Sequence, residues 1–358
     1  MDAGGVERGA YDIATALQKS EGESFLACEP GGRYIPKLKE AGVTVLEGPI
    51  ASKNPLQIWE NRRQLCEWIR YYNIDVIHVR SRAPAWSVWW SALKTQCPWV
   101  TTYHGVYTSD YAAKRLYNSV MVRANRVIVP STWVERHIHQ VYPWVTRSKI
   151  SLIFRGVDTE NFTPRSRGNH QDLRFGYGWK AEDIVLLCVG RMTRLKGLAF
   201  LLSVLRHLPN SVKLLWVGSV PPTHEYMLKE SMAEFQGRFR WHDHTSDIQQ
   251  FYAMCDAVVS PSLRPESFGR TIAEAGAMGR CVFASDHGGA QDIILPGKTG
   301  WLLPVADEQS WIEAINTFVS LPQDQYAHME RQALDFIRKN FDQSLFIQRT
   351  FEVYQGLV

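Results

Sequence analysis

The sequence has 358 residues, of which 45% are hydrophobic and 21% are charged. This composition excludes an intrinsically disordered chain, and the length exceeds what one hydrophobic core usually supports. The formal net charge of +4 is too small to predict nucleic-acid binding, although it favours anionic substrates or an anionic membrane surface. We therefore expect a folded protein of two domains.

The apolar segments and the cysteines exclude two further classes of protein. No apolar run approaches the roughly 20 residues that a membrane-spanning helix needs. The N-terminal sequence MDAGGVERGA lacks the apolar core of a signal peptide. The six cysteines are scattered, and no C-x-x-C pair predicts a zinc or redox site. We expect a cytoplasmic protein, and peripheral contact with the inner face of the cytoplasmic membrane stays open.

Short segments rich in Val, Ile and Leu recur along the first half of the chain. They predict strands at 43–48, 75–80, 99–105, 126–131 and 149–156. Helical periodicity between most of them predicts a parallel sheet covered on both faces. One such segment, 53–73, places Arg62, Arg63 and Arg70 among apolar positions at helical spacing. We interpret it as a surface helix packed on the sheet, with contact to a membrane surface as the alternative.

The second half repeats the alternation of strands and helices. Its predicted strands are 183–190, 212–218, 257–262, 280–286 and 299–304. A polar stretch with several Gly and Pro residues lies between the halves, and we place the linker near 157–172. The predicted fold class is α/β, with doubly wound domains at 1–165 and 166–340. Residues 341–358 have helical periodicity and are expected to pack back toward the first domain.

Two cations follow the first predicted strand of the second half. Arg191 lies at the strand end, and Lys196 lies further on, just before Gly197 and a helical segment. Ligands of doubly wound sheets bind beyond the carboxyl ends of the strands. Two cations beside a helix N-terminus suit a diphosphate, because the side chains and the unpaired helix amides act on the same anion. Solvated surface positions are the alternative for both residues.

The segment RPESFGRTIAE, at 264–274, joins another predicted strand to a helix. Amides at its turn can face a phosphate, and Gly269 permits a close approach of the backbone. Glu266 and Glu274 flank this turn and can accept hydrogen bonds from the hydroxyl groups of a sugar and a ribose. Two glutamates at this spacing also occur by chance, so the pair alone is weak evidence for a binding site. The turn between them strengthens that interpretation.

Two further candidates lie in the first half. His104 follows a predicted strand; a lone histidine is more often structural, and its position at the carboxyl end of a strand shifts that balance toward a functional role. Gly4 and Gly5 precede a helical segment and are interpreted either as a phosphate-facing turn or as a plain helix start. The isolated pair of His242 and His244 lacks further ligands nearby, so we expect no metal site there.

Together these motifs resemble the retaining glycosyltransferases of family 4, also described as glycosyl transferases group 1. The resemblance rests on G-R-x4-K-G at 190–197 and on P-E-S-F-G-R-x3-E at 265–274. It extends to the segments GGVERG, YHG, IVPSTWV, FRGVDTENFTP and SDHGGAQDII. It implies the GT-B fold, in which two Rossmann-like domains face each other across a cleft. It also implies a hexosyltransferase that uses neither a cofactor nor a metal ion.

The resemblance implies a role for each site residue in binding a nucleoside-diphosphate sugar. Arg191 and Lys196 are expected to hold the diphosphate, and Glu274 the ribose. Glu266 is expected to bind the transferred sugar near its reacting carbon, and His104 to contact it from the other domain. These residues other than Glu274 are expected to act in catalysis. The remaining donor-binding residues expected are Gly4, Gly5, Ser267, Phe268, Gly269 and Arg270.

The resemblance, together with the charge of segment 78–86, which is rich in Arg and Trp, implies an acceptor that is a glycan or a lipid-linked molecule of the cell envelope, such as lipopolysaccharide. Two alternatives stay open. One is another GT-B activity, a nucleotide-sugar epimerase or a phosphorylase; the other is an inactive protein that binds nucleotide sugars. The second alternative follows from a departure, since relatives usually begin with an apolar strand before the glycine pair. This chain starts with MDAGG, so we expect the first sheet to lack a strand, through either a misassigned start or a real loss.

Overall fold

The computed structural model describes residues 5–20, 22–105, 107, 111–165 and 171–358. The chain divides into two compact units, one comprising Met1–Gly156 with Ser344–Val358 and the other Val157–Gln343. Val157 belongs to the second unit because it pairs with Asp342 in a parallel bridge. The first boundary therefore lies upstream of residue 165, and the second lies downstream of residue 340.

The first unit contains two parallel sheets. Its strands are β1 (Phe25–Cys28), β2 (Thr44–Glu47), β3 (Ile77–Val79), β4 (Trp99–Thr102), β5 (Arg126–Val129) and β6 (Ile150–Leu152). β1 pairs with β2, and β3 to β6 form a separate sheet in that order. The expectation of a missing first strand concerns residues that precede Gly5 and lies outside the described part of the chain.

Helices surround these sheets and include the end of the chain. They are α1 (Gly5–Lys19), α2 (Tyr34–Glu40), α3 (Pro55–Tyr71), α4 (Arg82–Thr95), α5 (Ala112–Asn118), α6 (Thr132–Val141) and α15 (Gln343–Gln355). Phe346 and Tyr354 of α15 pack in one cluster with Val100 of β4 and Ile128 of β5. The Tyr354 hydroxyl also lies 2.5 Å from Nδ1 of His78, so α15 is fastened to the sheet by packing and by a hydrogen bond.

The predicted helix at 53–73 is confirmed as α3. Its start is fixed by Pro55 at the first helical position and by Asn54, whose side chain accepts a hydrogen bond from the amide of Leu56. The helix packs closely on α4, where Ser87 and Ser91 donate hydrogen bonds to carbonyl groups of α3. Small side chains on α4 permit this approach, and Leu56, Trp59 and Tyr71 of α3 stay exposed.

The second unit is built on one six-stranded parallel sheet. Its strands are β7 (Ile184–Val189), β8 (Val212–Val217), β9 (Phe239–His242), β10 (Ala257–Ser260), β11 (Cys281–Ser285) and β12 (Gly300–Leu303). The strand order is β12-β11-β10-β7-β8-β9. The chain runs outward from β7 to β9 and then returns to the other side of β7 with β10. The carboxyl ends of β7 and β10 therefore form a topological switch point, where ligands of such sheets bind.

Eight helices flank this sheet in the described residues. They are α7 (Gln171–Gly176), α8 (Leu198–Arg206), α9 (Glu225–Glu234), α10 (Gln249–Met254), α11 (Arg270–Ala277), α12 (Ala290–Ile293), α13 (Glu308–Val319) and α14 (Gln323–Phe341). The largest core cluster contains Trp216, Phe239, Phe283 and Trp311, each nearly inaccessible to solvent. In the described ranges of both units, no helix is long and apolar enough to cross a membrane.

All ten strands predicted from the sequence are confirmed, and each is shorter than its predicted segment. Two strands, β1 and β9, were not predicted. The α/β fold class with two Rossmann-like units is confirmed.

Candidate active site

The carboxyl end of β7 leads into a tight turn that carries Lys196. Gly190 follows β7 with a φ of 140°, and its carbonyl accepts a 2.8 Å hydrogen bond from the indole of Trp216. A Cβ atom on Gly190 would lie 3.5 Å from Cε of Lys196, so the lysine stem crosses directly over this glycine. The backbone at the end of β7 therefore leaves room for the Lys196 side chain to extend across it.

Gly197 holds this turn against the loop that follows β10. Its φ is 78°, and a Cβ atom on it would lie 2.3 Å from the carbonyl oxygen of Pro261, which no side chain could accommodate. The amide of Leu263 donates a 2.8 Å hydrogen bond to the carbonyl of Leu195. The two loops at the switch point are thus joined by backbone contacts, independently of their charged side chains.

Lys196 and Glu266 form an ion pair at this junction. The lysine Nζ lies 2.7 Å from Oε1 of Glu266, and less than a third of each side chain is exposed. The hydroxyl of Ser262 donates a 2.5 Å hydrogen bond to the same carboxylate oxygen. Burial alone would raise the pKa of Glu266, but the charge and hydrogen bond of Lys196, the hydroxyl of Ser262 and His287 together lower it. Glu266 is therefore held as a carboxylate.

A glycine pair supports the backbone of the Glu266 loop. Gly288 has a φ of 66°, and a Cβ atom there would lie 2.5 Å from the carbonyl oxygen of Glu266. A Cβ atom on Gly289 would lie 2.0 Å from the carbonyl oxygen of Phe268. The amide of Gly289 donates a 2.8 Å hydrogen bond to the Glu266 carbonyl. Only glycines allow the segment after β11 to approach so closely, and this contact fixes the position of the Glu266 loop relative to that segment.

Helix α11 begins directly after this loop. Gly269 precedes it with a φ of 105°, and the side chain of Phe268 is buried against Phe341. The first amides of a helix have no acceptor within it, so those at Arg270 and Thr271 are available to an anion. Arg191 is exposed nearby along the same sheet edge, with no side-chain partner among the residues that the structure describes. Arg191 and Lys196 follow β7, and α11 follows the neighbouring strand β10, so the two cations and the helix start lie at the same edge of the sheet.

Glu274 has different surroundings from Glu266. Its carboxylate is buried, Oε1 lies 2.7 Å from Nε of Arg270, and Oε2 accepts a 3.0 Å hydrogen bond from Tyr252. Burial and the neighbouring carboxylate raise the pKa of Tyr252 well above its ordinary value, so the phenol remains a donor. The two glutamates thus lie on either side of the α11 start with separate partners. Ser267, between them, is half-buried.

The remaining predicted residues lie in the first unit. His104 follows β4, and its Nδ1 accepts a hydrogen bond from Nη2 of Arg155. Burial and the charges of Arg155 and Arg80 lower the pKa of His104 well below 6.5. Gly5 is the first residue of α1, and Gly4 lies outside the described residues.

Four residues that shape the loop were not predicted from the sequence, namely Ser262, His287, Gly288 and Gly289. Ser262 ends a predicted strand and the other three belong to the segment SDHGGAQDII, but their contacts depend on the loops after β10 and β11 meeting in space. Nε2 of His287 lies 2.8 Å from the Ser262 carbonyl and ties the two loops together. Within the described parts of the chain, no group of three His, Cys, Asp or Glu side chains could hold a metal ion.

Known proteins share this architecture along the whole chain. A solved glycosyltransferase of Rickettsia africae ESF-5 is 30% identical, with a TM-score of 0.89 over 100% of this chain and 97% of that one. Two family models match consecutive parts of the sequence, Glycosyltransferase Family 4 at 3–161 and Glycosyl transferases group 1 at 169–335. The chain belongs to glycosyltransferase family 4. The predicted family, the GT-B fold and the glycosyltransferase class of enzyme are confirmed.

Two further comparisons are more distant. The sulfoquinovosyl transferase SQD2 of Arabidopsis thaliana is 27% identical over 289 residues, covering 76% of this chain and 54% of that protein. The chain therefore spans about half the length of this curated relative. The crystal structure of Anabaena Alr3699/HepE in complex with UDP is 21% identical, with a TM-score of 0.85 over 99% of this chain and 96% of that one. This last likeness shows a shared fold.

Proposed function

We propose that this family 4 protein transfers a sugar from a nucleoside-diphosphate sugar to a glycan or lipid-linked acceptor of the cell envelope, with retention of the anomeric configuration. The observation that carries the proposal is the 2.7 Å pair of Lys196 and Glu266 at the switch point of the second sheet. The pair places a cation and an ionised carboxylate beside the start of α11. A diphosphate and an adjoining sugar need these two kinds of group side by side.

Arg191, Lys196 and the first amides of α11 would bind the donor diphosphate. When the bond between the sugar C1 and the phosphate oxygen breaks, negative charge grows on the diphosphate, and these groups offset it. A donor phosphate must compete with Glu266 for the ammonium group of Lys196. Glu266 would then turn its lone pairs to the sugar. The acceptor hydroxyl would form the new bond to C1 and pass its proton to the departing phosphate.

We propose that the reaction needs no metal ion, because the two cations and the helix amides supply the positive charge at the diphosphate. The expected result is equal activity with EDTA and with added Mg²⁺. A loss of transfer in EDTA that is restored by Mg²⁺ would overturn this part of the proposal.

The main test combines nucleotide binding with sugar transfer. Calorimetric titration with UDP, GDP, ADP, CDP and dTDP should select one nucleotide, and Lys196→Ala or Arg191→Ala should weaken its binding by about tenfold or more. Arg194→Ala is the matched control, because Arg194 is an exposed cation in the same turn and has no side-chain partner among the described residues. Full transfer activity in both Lys196→Ala and Glu266→Ala would refute the proposal.

The same experiment separates the two alternatives. A nucleotide-sugar epimerase would change the donor without any acceptor, and a phosphorylase would need inorganic phosphate; chemical analysis of the products distinguishes both from transfer. An inactive protein would bind nucleotide and release no product with any acceptor. The ion pair alone supports binding of the donor, and only detection of a transferred sugar separates a catalytic site from a binding site.

We further propose that the first unit contacts an anionic membrane through an aromatic face on α3 and α4. This face consists of Leu56, Trp59, Trp90 and Leu93, which are between 41% and 75% exposed. The rings of Trp59 and Trp90 lie 6.5 Å apart, and each leucine is one turn from a tryptophan on its own helix. The guanidinium of Arg62 lies 3.5 Å from the centre of the Trp59 ring. Exposed tryptophan next to arginine suits the boundary between headgroups and acyl chains.

Sedimentation with vesicles tests this contact. The wild-type protein should bind vesicles that contain phosphatidylglycerol more than neutral vesicles, and salt should weaken the binding. Trp59→Ser with Trp90→Ser should reduce it severalfold. Phe175→Ser in the second unit is a matched control, because Phe175 is 53% exposed and lies outside the aromatic face. Equal binding of the double variant and the control would exclude this face as the membrane contact.

A further inference from the structure

We propose that the first unit binds an anionic group of the acceptor, a phosphate or a carboxylate, at a site formed by Arg80, His104 and Arg155. The role of this anion as part of the acceptor rests on the proposed glycosyl transfer. The existence of an anion site in the first unit rests only on the geometry of the unit itself.

The three residues meet at one edge of the sheet. Arg80 directly follows β3, His104 lies just beyond β4, and Arg155 lies just beyond β6. β3 and β4 are adjacent parallel strands, with Val79 opposite Thr101, so Arg80 and His104 leave the sheet on the same side. The charges of Arg80 and Arg155 both contribute to lowering the pKa of His104, which places all three groups within electrostatic reach of one another.

Two buried N–H groups at this edge have no acceptor within the described part of the chain. Nη2 of Arg80 and Nε2 of His104 are inaccessible to solvent and have no hydrogen-bond partner among the described residues. Nδ1 of His104 accepts from Arg155, and the pKa of His104 is lowered by burial, so the neutral ring carries its proton on Nε2. Both orphaned atoms are therefore donors. An acceptor-only anion satisfies both, whereas another cation or donor group would satisfy neither.

The neighbouring His78 shows how a structural histidine is arranged in the same sheet. Its Nδ1 lies 2.5 Å from the hydroxyl of Tyr354, and its Nε2 lies 2.6 Å from the hydroxyl of Thr102. Both ring nitrogens are thus satisfied within the protein. His104 differs, because its Nδ1 accepts from Arg155 and its buried Nε2 has no partner among the described residues.

The surroundings of Arg80 leave its charge for a ligand. Asp12 of α1 is within electrostatic reach of Arg80, but its Oδ1 is already 2.7 Å from Nε of Arg8. The Arg80 guanidinium lies against Gly9 of α1, where a Cβ atom would approach Nη1 to 2.7 Å. A glycine at this position gives the guanidinium its room. Arg80 thus lies beside a carboxylate that already pairs with Arg8, and its forked donor group suits an anion.

The test measures phosphate binding in a background where the second unit does not interfere. Inorganic phosphate is titrated into the Arg191→Ala/Lys196→Ala variant, which has lost the cations of the proposed donor site. Arg80→Met or His104→Phe in that background should weaken phosphate binding about tenfold or more. Arg123→Met is the matched control, because Arg123 precedes β5 at the opposite edge of the same sheet. Equal affinity in all these proteins would overturn the proposal.

Milder substitutions guard against misfolding. Arg80→Lys keeps the charge but loses the forked donor, and His104→Gln keeps one N–H donor, so both should retain part of the phosphate affinity. If Arg80→Met fails to fold, the comparison of Arg80→Lys with Arg123→Lys replaces it. Affinity that is unchanged in Arg80→Lys and in His104→Phe would refute the site.

Transfer assays then identify the source of the anion. Acceptors that carry a sugar phosphate, a uronic acid or no charge are compared at equal concentration. A preference for one anionic acceptor that disappears in Arg80→Met, with nucleotide binding unchanged, supports the proposal and names the group. An equal loss of affinity for the nucleotide sugar would place the anion on the donor and overturn the acceptor assignment. Failure of the donor site would abolish transfer with every acceptor and leave phosphate binding intact.

Discussion

Lys196 and Glu266 lie 70 positions apart in the sequence, and their side chains form a 2.7 Å ion pair. They meet because β7 and β10 are neighbours in the sheet although β8 and β9 come between them in the chain. Backbone contacts at Gly197 and Leu263 join the two loops before the charges act. The strand order therefore brings the two residues together, and the backbone contacts hold the loops after β7 and β10 at a fixed distance.

The first prediction concerns the pH dependence of this pair. The pKa of Glu266 is lower in the folded protein, so the pair stabilises the fold above the ordinary glutamate value of 4.5 and this contribution is lost as the pH falls through the folded value. At pH 7 we expect Glu266→Gln to lower the free energy of unfolding by about 1 kcal/mol or less. Below pH 4.5 the difference from wild type should shrink toward zero.

Urea unfolding of the two proteins at several pH values checks this prediction. Glu182→Gln controls for the loss of one surface carboxylate, because Glu182 is 71% exposed and its oxygen lies 4.0 Å from Lys180. A difference between wild type and Glu266→Gln that stays constant down to strongly acidic pH would contradict the expectation.

The second prediction compares two glycines of nearly equal φ. Gly197 has a φ of 78° and faces the Pro261 carbonyl, whereas Gly178 has a φ of 77° and a Cβ atom on it would meet nothing within 4 Å. Gly178→Ala should cost about 1 to 2 kcal/mol from backbone strain alone. Gly197→Ala should cost about 1 to 3 kcal/mol more because of the clash, and should weaken nucleotide binding by moving Lys196. Equal stability of the two variants would show that the contact with Pro261 is easily relieved.

Most of the fold could be predicted because its strands are short, apolar and bounded by turn residues. β1 and β9 were not predicted because neither has a long apolar run. The sequence FLAC of β1 is brief and followed by Glu29, and the sequence FRWH of β9 alternates with polar residues because it lies at the edge of its sheet. The ring of His242, a residue of the isolated histidine pair, packs on Phe251 at 4.7 Å between centroids.

The candidate site was predictable in its charged residues and not in its supporting ones. Arg191, Lys196 and Glu266 follow strands, and the switch point of a doubly wound sheet brings such positions together. Ser262 and Gly289 act through contacts between loops after different strands. Those contacts depend on the order of the strands in the sheet and on the distance between the loops. The sequence around each residue does not encode either. The predicted roles of these residues toward the donor remain predictions.

The third prediction concerns Ser262, which was not predicted from the sequence. Its hydroxyl donates to the carboxylate oxygen that Lys196 also contacts, so it fixes the orientation of Glu266. We expect Ser262→Ala to reduce kcat of transfer by about tenfold to a hundredfold, because a hydrogen bond to a charged group contributes about 1.5 to 3 kcal/mol. Nucleotide affinity should change little. Ser260→Ala is the control, since Ser260 is equally buried on β10 and outside the site. An unchanged kcat in Ser262→Ala would limit the hydroxyl to a structural role.

The last prediction concerns His78, which connects α15 to the sheet. Burial first, and the charge of Arg80 second, lower its pKa well below 6.5. The unfolded chain therefore binds a proton that the folded chain does not, and stability falls as the pH drops below about 6.5. As the pH falls from 6.5, the unfolding free energy of the wild type should therefore decrease more steeply than that of His78→Gln. The difference between the two slopes should be up to about 1.4 kcal/mol per pH unit. Glutamine keeps a donor and an acceptor for Thr102 and Tyr354, so the variant should fold, and urea unfolding at pH 7.5, 6.5 and 5.5 measures both slopes. Identical slopes would mean that His78 takes up its proton within the folded structure. Water would then reach the contact between α15 and the sheet.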